Sequence, residues 1–272
     1  MSKHTLHNGQ SATITAHQWD GDSLAFAGTS SASGPVPIAT FTGPNTLSGI
    51  TDIGAATATG YGIIDLMPGG ALTTGALNIN HAILSINERP GSSVSFNGIS
   101  RVINGSTLTA TGYAGVGTYT VNGTMNIDGT STVNMDYVAV AGTGTFHLTG
   151  EDALLRVGTV GAAETVVLDG GMLSLTNGMN FLGTITDSAP ASSRIGPTAS
   201  VDVYNALDAV RETFDQTTGV LGLFNTQGTE VANLKFAGTG ALYAAPTAGL
   251  ATNYIAITSH ASAGALPVTF TS

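Results

Sequence analysis

The chain has 272 residues, enough for one large domain or two smaller ones. It is 42% apolar and only 9% charged, with a formal net charge of −10 at pH 7 and 37 glycines in no collagen-like period. These values exclude collagen and a charge-driven disordered chain, and they disfavour a nucleic-acid or anionic-membrane partner, because seven Lys plus Arg cannot displace many counterions.

Cysteine is absent, which removes disulfides, thiolate nucleophiles and Cys-based metal sites. The first 20 residues hold Lys3, His4, His7 and Asp20 and no apolar run, so no standard signal peptide is read there. No stretch of apolar residues is long enough to make a membrane-spanning helix.

In chain order, Ser11–Ala16, Leu24–Ala27 and Ile38–Phe41 read as short strands, each stopped by Gly, Pro, Asn or Asp. Between Gly70 and Asn177 the pattern becomes regular. Strands are predicted at Leu77–Asn80, Ile83–Ile86, Ser93–Phe96, Thr107–Thr109, Thr118–Val121 and Thr124–Asp128. They continue at Thr132–Asp136, Tyr137–Ala141, Thr145–Leu148, Leu154–Val157, Thr165–Leu168 and Met172–Leu175. Gly-Thr, Gly-Ser or Asn-Gly introduces many of them.

Short strands with equally short breaks suit a parallel β-helix, in which small apolar side chains stack inward from coil to coil. The repeat is degenerate, with a period of about 18 to 28 residues across a solenoid of this kind. The competing architecture is an antiparallel sandwich of many short strands. Residues 200–216 break the texture. Val203, Ala206, Leu207, Val210 and Phe214 fall three and four apart and predict one short amphipathic helix, with Asp202 in its first turn. Beyond it, Val220–Phe224, Glu230–Phe236, Ala241–Ala244, Tyr254–Thr258 and Pro267–Phe270 read as strands, with a hairpin-like turn at Asn225–Gly228.

The fold class predicted is therefore all-β: a parallel β-solenoid over residues 1–180 and a C-terminal capping or assembly module over 181–272. A solenoid end exposes apolar core and unpaired strand edge, so it requires a cap. Val203, Leu207, Val210, Phe214, Leu221, Leu223, Leu234 and Phe236 are the residues expected to supply it.

The tail also carries a resemblance. Gly219-Val220-Leu221-Gly222-Leu223-Phe224-Asn225 followed by Glu230-Val231-Ala232-Asn233-Leu234-Lys235-Phe236-Ala237-Gly238 is similar to a segment that closes large secreted proteobacterial proteins of the autotransporter-like, β-helical repeat type. The Gly70–Asn177 stretch resembles their Gly/Thr-rich repeats. The resemblance implies an extracellular or cell-surface location and an adhesin, passenger or biofilm-matrix role. It supplies no catalytic motif. The lack of a leader departs from the autotransporter pattern and fits leaderless export, or a fragment of a longer protein.

Candidate chemistry is sparse. The calcium-binding Gly-Gly-x-Gly-x-Asp repeat does not occur: Gly69-Gly70 and Asp169-Gly170-Gly171 lack its continuation. No cofactor is predicted, although a calcium ion held by a few carboxylates is not excluded by the residues present. His4, His7 and His17 form a loose tract better explained as scattered histidines on a flexible N-terminus. No His-Glu-x-x-His or Gly-x-Ser-x-Gly pattern is present. An ice-binding reading of the Thr-x-Thr pairs fails on their uneven spacing. A polysaccharide-processing enzyme would need converging acids, and Asp128, Asp136 and Asp169 are the candidates, with His147 and Arg156 beside them. Asp128 and Asp169 each precede a glycine and Asp136 ends a strand, which are ordinary turn positions. The expected function is a non-catalytic extracellular structural protein that self-associates or binds surface and matrix components. A carbohydrate-binding adhesive module and a polysaccharide-processing enzyme are the alternatives.

Overall fold

The computed structural model describes residues 2–29, 35–53, 59–112, 117–186, 199–206, 209–215, 217–237, 241–245 and 253–258. Pro267–Phe270 and Leu207 lie outside them. The first coil contains β1 (Lys3–His7) and β2 (Ser11–Ile14); the second β3 (Ser23–Thr29), β4 (Ile38–Phe41) and β5 (Pro44–Leu47). The third contains β6 (Gly49–Ile53), β7 (Gly60–Leu66) and β8 (Ala71–Thr74), the fourth β9 (Leu77–Asn80), β10 (Ala82–Glu88) and β11 (Ser93–Phe96). The fifth contains β12 (Ile99–Ile103), β13 (Thr107–Gly112) and β14 (Thr118–Val121). In the sixth, β15 (Thr124–Asp128) precedes β16 (Thr132–Gly142), one bulged strand that rounds a corner and serves two sides. The seventh pairs β17 (Thr145–Thr149) with the similarly bent β18 (Leu154–Val160), and the eighth holds β19 (Thr165–Leu168), β20 (Gly171–Leu175) and a bridge from Val160 to Phe181.

These strands stack in parallel into three faces. The first face runs β1, β3, β6, β9, β12, β15, β17, β19 and β21 (Thr184–Thr186). The second runs β2, β4, β7, β10, β13, β16, β18, β20 and β22 (Ala199–Val203). The third runs β5, β8, β11, β14 and the far halves of β16 and β18. The chain is a parallel β-solenoid of about seven turns. Its coil length varies: the register advances 18 residues from Leu154 to Met172 and 28 from Gly171 to Ala199.

Alternation of side chains sets the core. Gly60–Leu66 and Ala82–Glu88 both bury every second residue, so one parity lines the tube and the other faces out. Inward columns in register include Met125–Phe146–Val166–Ile185 on the first face and Leu84–Leu108–Val133–Leu155–Leu173–Val201 on the second. Burial of each such side chain stabilises the stack by about 1.5–3 kcal/mol.

At the corner that leads from the third face to the first, the column reads Ser48, Gly75, Gly98, Gly123, Gly144, Glu164, Gly183. The strands that start just after it are in register from coil to coil. The backbones approach so closely there that an added Cβ at Gly98 would lie 1.6 Å from the Gly75 carbonyl oxygen. The reason for glycine at this corner is space.

The N-terminal end is filled by Trp19, in the segment between β2 and β3. Its ring lies 4.1 Å from the His4 ring, nearly coplanar in stacking, and meets Phe41 edge-on. Asn45, buried in the second coil, ties this segment down. Its Oδ1 accepts from the Trp19 N–H at 3.0 Å and its Nδ2 donates to the Thr15 carbonyl at 2.8 Å.

Past the last coil both sheets turn antiparallel. β25 (Glu230–Ala237) adds to β21 in parallel, then pairs antiparallel with β24 (Val220–Asn225), which pairs with β23 (Ala209–Asp215). β24 and β25 form the hairpin predicted at Asn225–Gly228. On the second face β27 (Asn253–Thr258) adds antiparallel to β22 and carries β26 (Ala241–Ala245). Val203, Leu221, Leu223 and Leu234 belong to the same buried cluster as Leu6 and Phe146, and Phe236 packs against it.

The predicted helix over 200–216 is corrected among the described residues. Ala199–Val203 and Ala209–Asp215 are strands separated by a single 3-10 turn at Tyr204–Ala206. Residues four apart share a face in a strand as well as in a helix, so the Val210/Phe214 spacing did not discriminate the two. Pairing of Ala199–Val203 along all of Gly171–Leu175 decides for strand. Val210 and Phe214 are exposed, at 48% and 38%. They do not line the buried end of the tube.

Candidate functional site

On the outward side of the first face, residues of successive coils lie in register. Thr124, Thr145, Thr165 and Thr184 stack in register, one per coil. Two residues along each strand a second column runs Asn78, Arg101, Asn126, His147, Val167, Thr186. A third begins with Asp128 over Thr149. Parallel strands about 4.8 Å apart therefore present the four threonine hydroxyls as a repeating row, beside a mixed second column.

The predicted acids separate between faces. Asp128, His147 and Asp169 lie along the first face, whereas Asp136 and Arg156 belong to the second. His147 Nε2 and Asp169 Oδ2 are 2.6 Å apart across neighbouring coils, both partly shielded. Asp128 is held in a turn: its Oδ1 accepts from the Asn104 N–H at 2.9 Å and from the Ser131 hydroxyl at 3.1 Å. Asn104 has a φ of 57° and is followed by Gly105, so the Asn-Gly pair is the corner and Asp128 is its clasp. Asp136 accepts from the Thr176 hydroxyl at 2.9 Å, two coils further on. Arg156 stacks between Asn134 and Ser174 on the second face.

Asp128 and Asp169 stand two coils apart, roughly 10 Å between their backbones at the usual strand spacing, with Thr149 between them. The five candidates do not converge across one groove. Of the five, His147 and Asp169 form a hydrogen-bonded pair, an arrangement that can hold and pass a proton.

The N-terminal histidines also separate. His4 pairs with Asp22 at 3.0 Å and His17 with Asp20 at 2.7 Å. The Thr46 N–H, then His17, hold the Asp20 carboxyl below its ordinary range; the Ser2 N–H, then His4, do the same for Asp22. Among the described residues no three His, Cys, Asp or Glu side chains gather as metal ligands. Also among them, no helix is long and apolar enough to cross a membrane.

Two acids were missed in the sequence. Glu88 and Glu164 are each 1% exposed; the Glu88 carboxylate oxygens are buried without a hydrogen-bond partner, and the Glu164 carboxyl has only the Gly144 backbone N–H close to it. Parity signals both: Glu88 continues Ala82, Leu84, Ile86, and Glu164 precedes Val166 and Leu168 by twos. Burial pushes Glu88 up to about 8 and Glu164 up to about 7, the latter partly opposed by the Gly144 backbone.

The architecture defines the class: a three-faced parallel β-solenoid with ordered outward columns. No protein-family model matches the chain, and no curated protein matches it.

Proposed function

We propose that the chain is a non-catalytic extracellular or cell-surface scaffold of the matrix or adhesin type, with its first face as the contact surface and residues 181–272 as a cap. The observation that carries this reading is the in-register column Thr124–Thr145–Thr165–Thr184 with Asn126 and Thr186 beside it. Repeating donors and acceptors suit adhesion to another repeating polar surface. The placement of Asp128 and Asp136 in turn and inter-coil hydrogen bonds supports a structural role for both acids.

The second reading is a carbohydrate-binding adhesive face, favoured by the same threonine row. A test of both combines electron microscopy and sedimentation of purified protein with adsorption to insoluble polysaccharides, comparing parent with Thr145→Lys/Thr165→Lys. Ordered assemblies or adsorption that the double variant loses support the contact face. A parent that stays monomeric at high concentration and adsorbs to nothing overturns it. Polysaccharide cleavage that disappears in His147→Ala or Asp169→Asn, with folding intact, overturns the non-catalytic reading.

A further inference from the structure

Among the described residues, the interior of the tube carries two acids, Glu88 and Glu164, where stacked neighbours are apolar or glycine. Glu88 lies in register between Leu66 of the coil before and Gly112 of the coil after. Its carboxylate lies so close to Gly117 that no Cβ fits there. Tyr119, fully buried, lies beside it and turns its hydroxyl to the Ile86 carbonyl at 3.3 Å, not to the acid. Glu164 takes the place of glycine in the corner column, between Gly144 and Gly183.

The surroundings offer each carboxylate little counter-charge. Around Glu88, the titratable and charged groups on the packed strands are Tyr61 and Asp65 on β7, Tyr119 on β14 and Arg89 next in sequence, with none on β13. Asp65 is on the outward parity and accepts from the Asn87 amide. Around Glu164, β17 and β21 contribute only His147, which faces out and pairs with Asp169, just past the end of β19. Gly112, Gly117, Gly144 and Gly183 leave volume for a carboxyl group but provide no cation.

We propose that Glu88 and Glu164 are proton-held latches of the tube: the coils around them are locked while both carboxyls carry a proton and loosen when the protons leave. A neutral carboxyl in this interior costs little, whereas a carboxylate with no partner must recruit water or open the packing. Burial favours the protonated form in each case and, at Tyr119, the proximity of Glu88 adds to burial in holding the phenol protonated. Both acids bind a proton more tightly in the folded chain than in the unfolded one. Their stabilising contribution is thus complete below about pH 4.5 and is lost as pH rises through about 7 and 8. The two positions lie at different heights, Glu88 in the fourth coil and Glu164 where the eighth begins, so loosening would start at two separate levels.

The test measures unfolding of the full chain from pH 5 to pH 9, with Glu88→Gln, Glu164→Gln and the double variant. The unfolding constant of the parent is expected to rise by about 100-fold or more over this range, while that of the double variant stays nearly flat and lies below the parent's at pH 9. Hydrogen exchange should quicken at high pH around β10, β14 and β19 of the parent before its other strands. A flat parent, or a double variant that keeps the parent's slope, overturns the proposal. Should the variants fail to fold, a side-chain carboxyl carbon-13 titration of the parent decides. Values for Glu88 and Glu164 well above the other glutamates support the latch, and values near 4.5 refute it.

Discussion

Replacing Gly98 by alanine is the sharpest test of how the coils are stacked. The added Cβ would fall 1.6 Å from the Gly75 carbonyl oxygen, against roughly 3.4 Å for an ordinary contact. The two backbones must therefore separate by more than an ångström at the corner before β12. Overpacking of this kind costs about 1–3 kcal/mol, and losing one or two strand hydrogen bonds beside it adds about 1 kcal/mol each. A total of about 2–5 kcal/mol is expected, a large share of a net stability of about 5–15 kcal/mol. Gly49→Ala is the matched control. It sits at the next position of the same corner, its Cβ would meet only the Ala76 carbonyl at 3.5 Å, and it should cost under about 1 kcal/mol. Equilibrium denaturation followed by far-ultraviolet circular dichroism gives both values. If Gly98→Ala unfolds within about 0.5 kcal/mol of the parent, the close approach of coils at this corner is wrong.

Two further outcomes follow from the ends of the tube. Leu221→Asp/Leu234→Asp should expose the C-terminal end and bring aggregation in light scattering, since each leucine contributes about 1.5–3 kcal/mol on burial. Val210→Asp/Phe214→Asp, on exposed side chains, should leave solubility unchanged; equal behaviour of the two double variants would refute the cap. Trp19 is the sole tryptophan, so its emission reports on the N-terminal end alone. Trp19→Phe should keep that end closed and Trp19→Ala should cost about 3–5 kcal/mol there, visible as early loss of protection in β1 and β2 by hydrogen exchange.

Strand texture was legible because it is local. Leu77–Asn80, Ser93–Phe96, Thr118–Val121, Thr124–Asp128 and Thr165–Leu168 have the bounds that alternation and Gly-Thr breaks predict. Corners without a breaker were not legible. Thr132–Asp136 and Tyr137–Ala141 read as two strands, but Asp136-Tyr137 holds no Gly or Pro and the chain bends through it as one bulged strand. The false helix arose from spacing shared by two periods. Trp19 escaped notice as an end plug because its partners His4, Phe41 and Asn45 come from three different segments. The acids at 128, 136 and 169 were visible as turn residues, whereas only the register separates Asp136 and Arg156 from the first face. No short-range pattern encodes register when coil length varies from 18 to 28 residues.

The stacking of coils along one axis also fixes how the molecule should respond to load. The described chain starts in the first coil and reaches the far end of the tube by successive laps, so tension between the two ends acts on one seam of hydrogen bonds at a time. Such a structure peels. Each released lap, such as the 21 residues from Thr124 to Thr145, lengthens the chain by roughly 7 nm at about 3.4 Å per residue. Pulled from its ends, the protein would yield in a series of small extensions of unequal size, and the longer laps would give the longer ones. A tether built this way dissipates a sudden pull in instalments while the remaining coils stay folded.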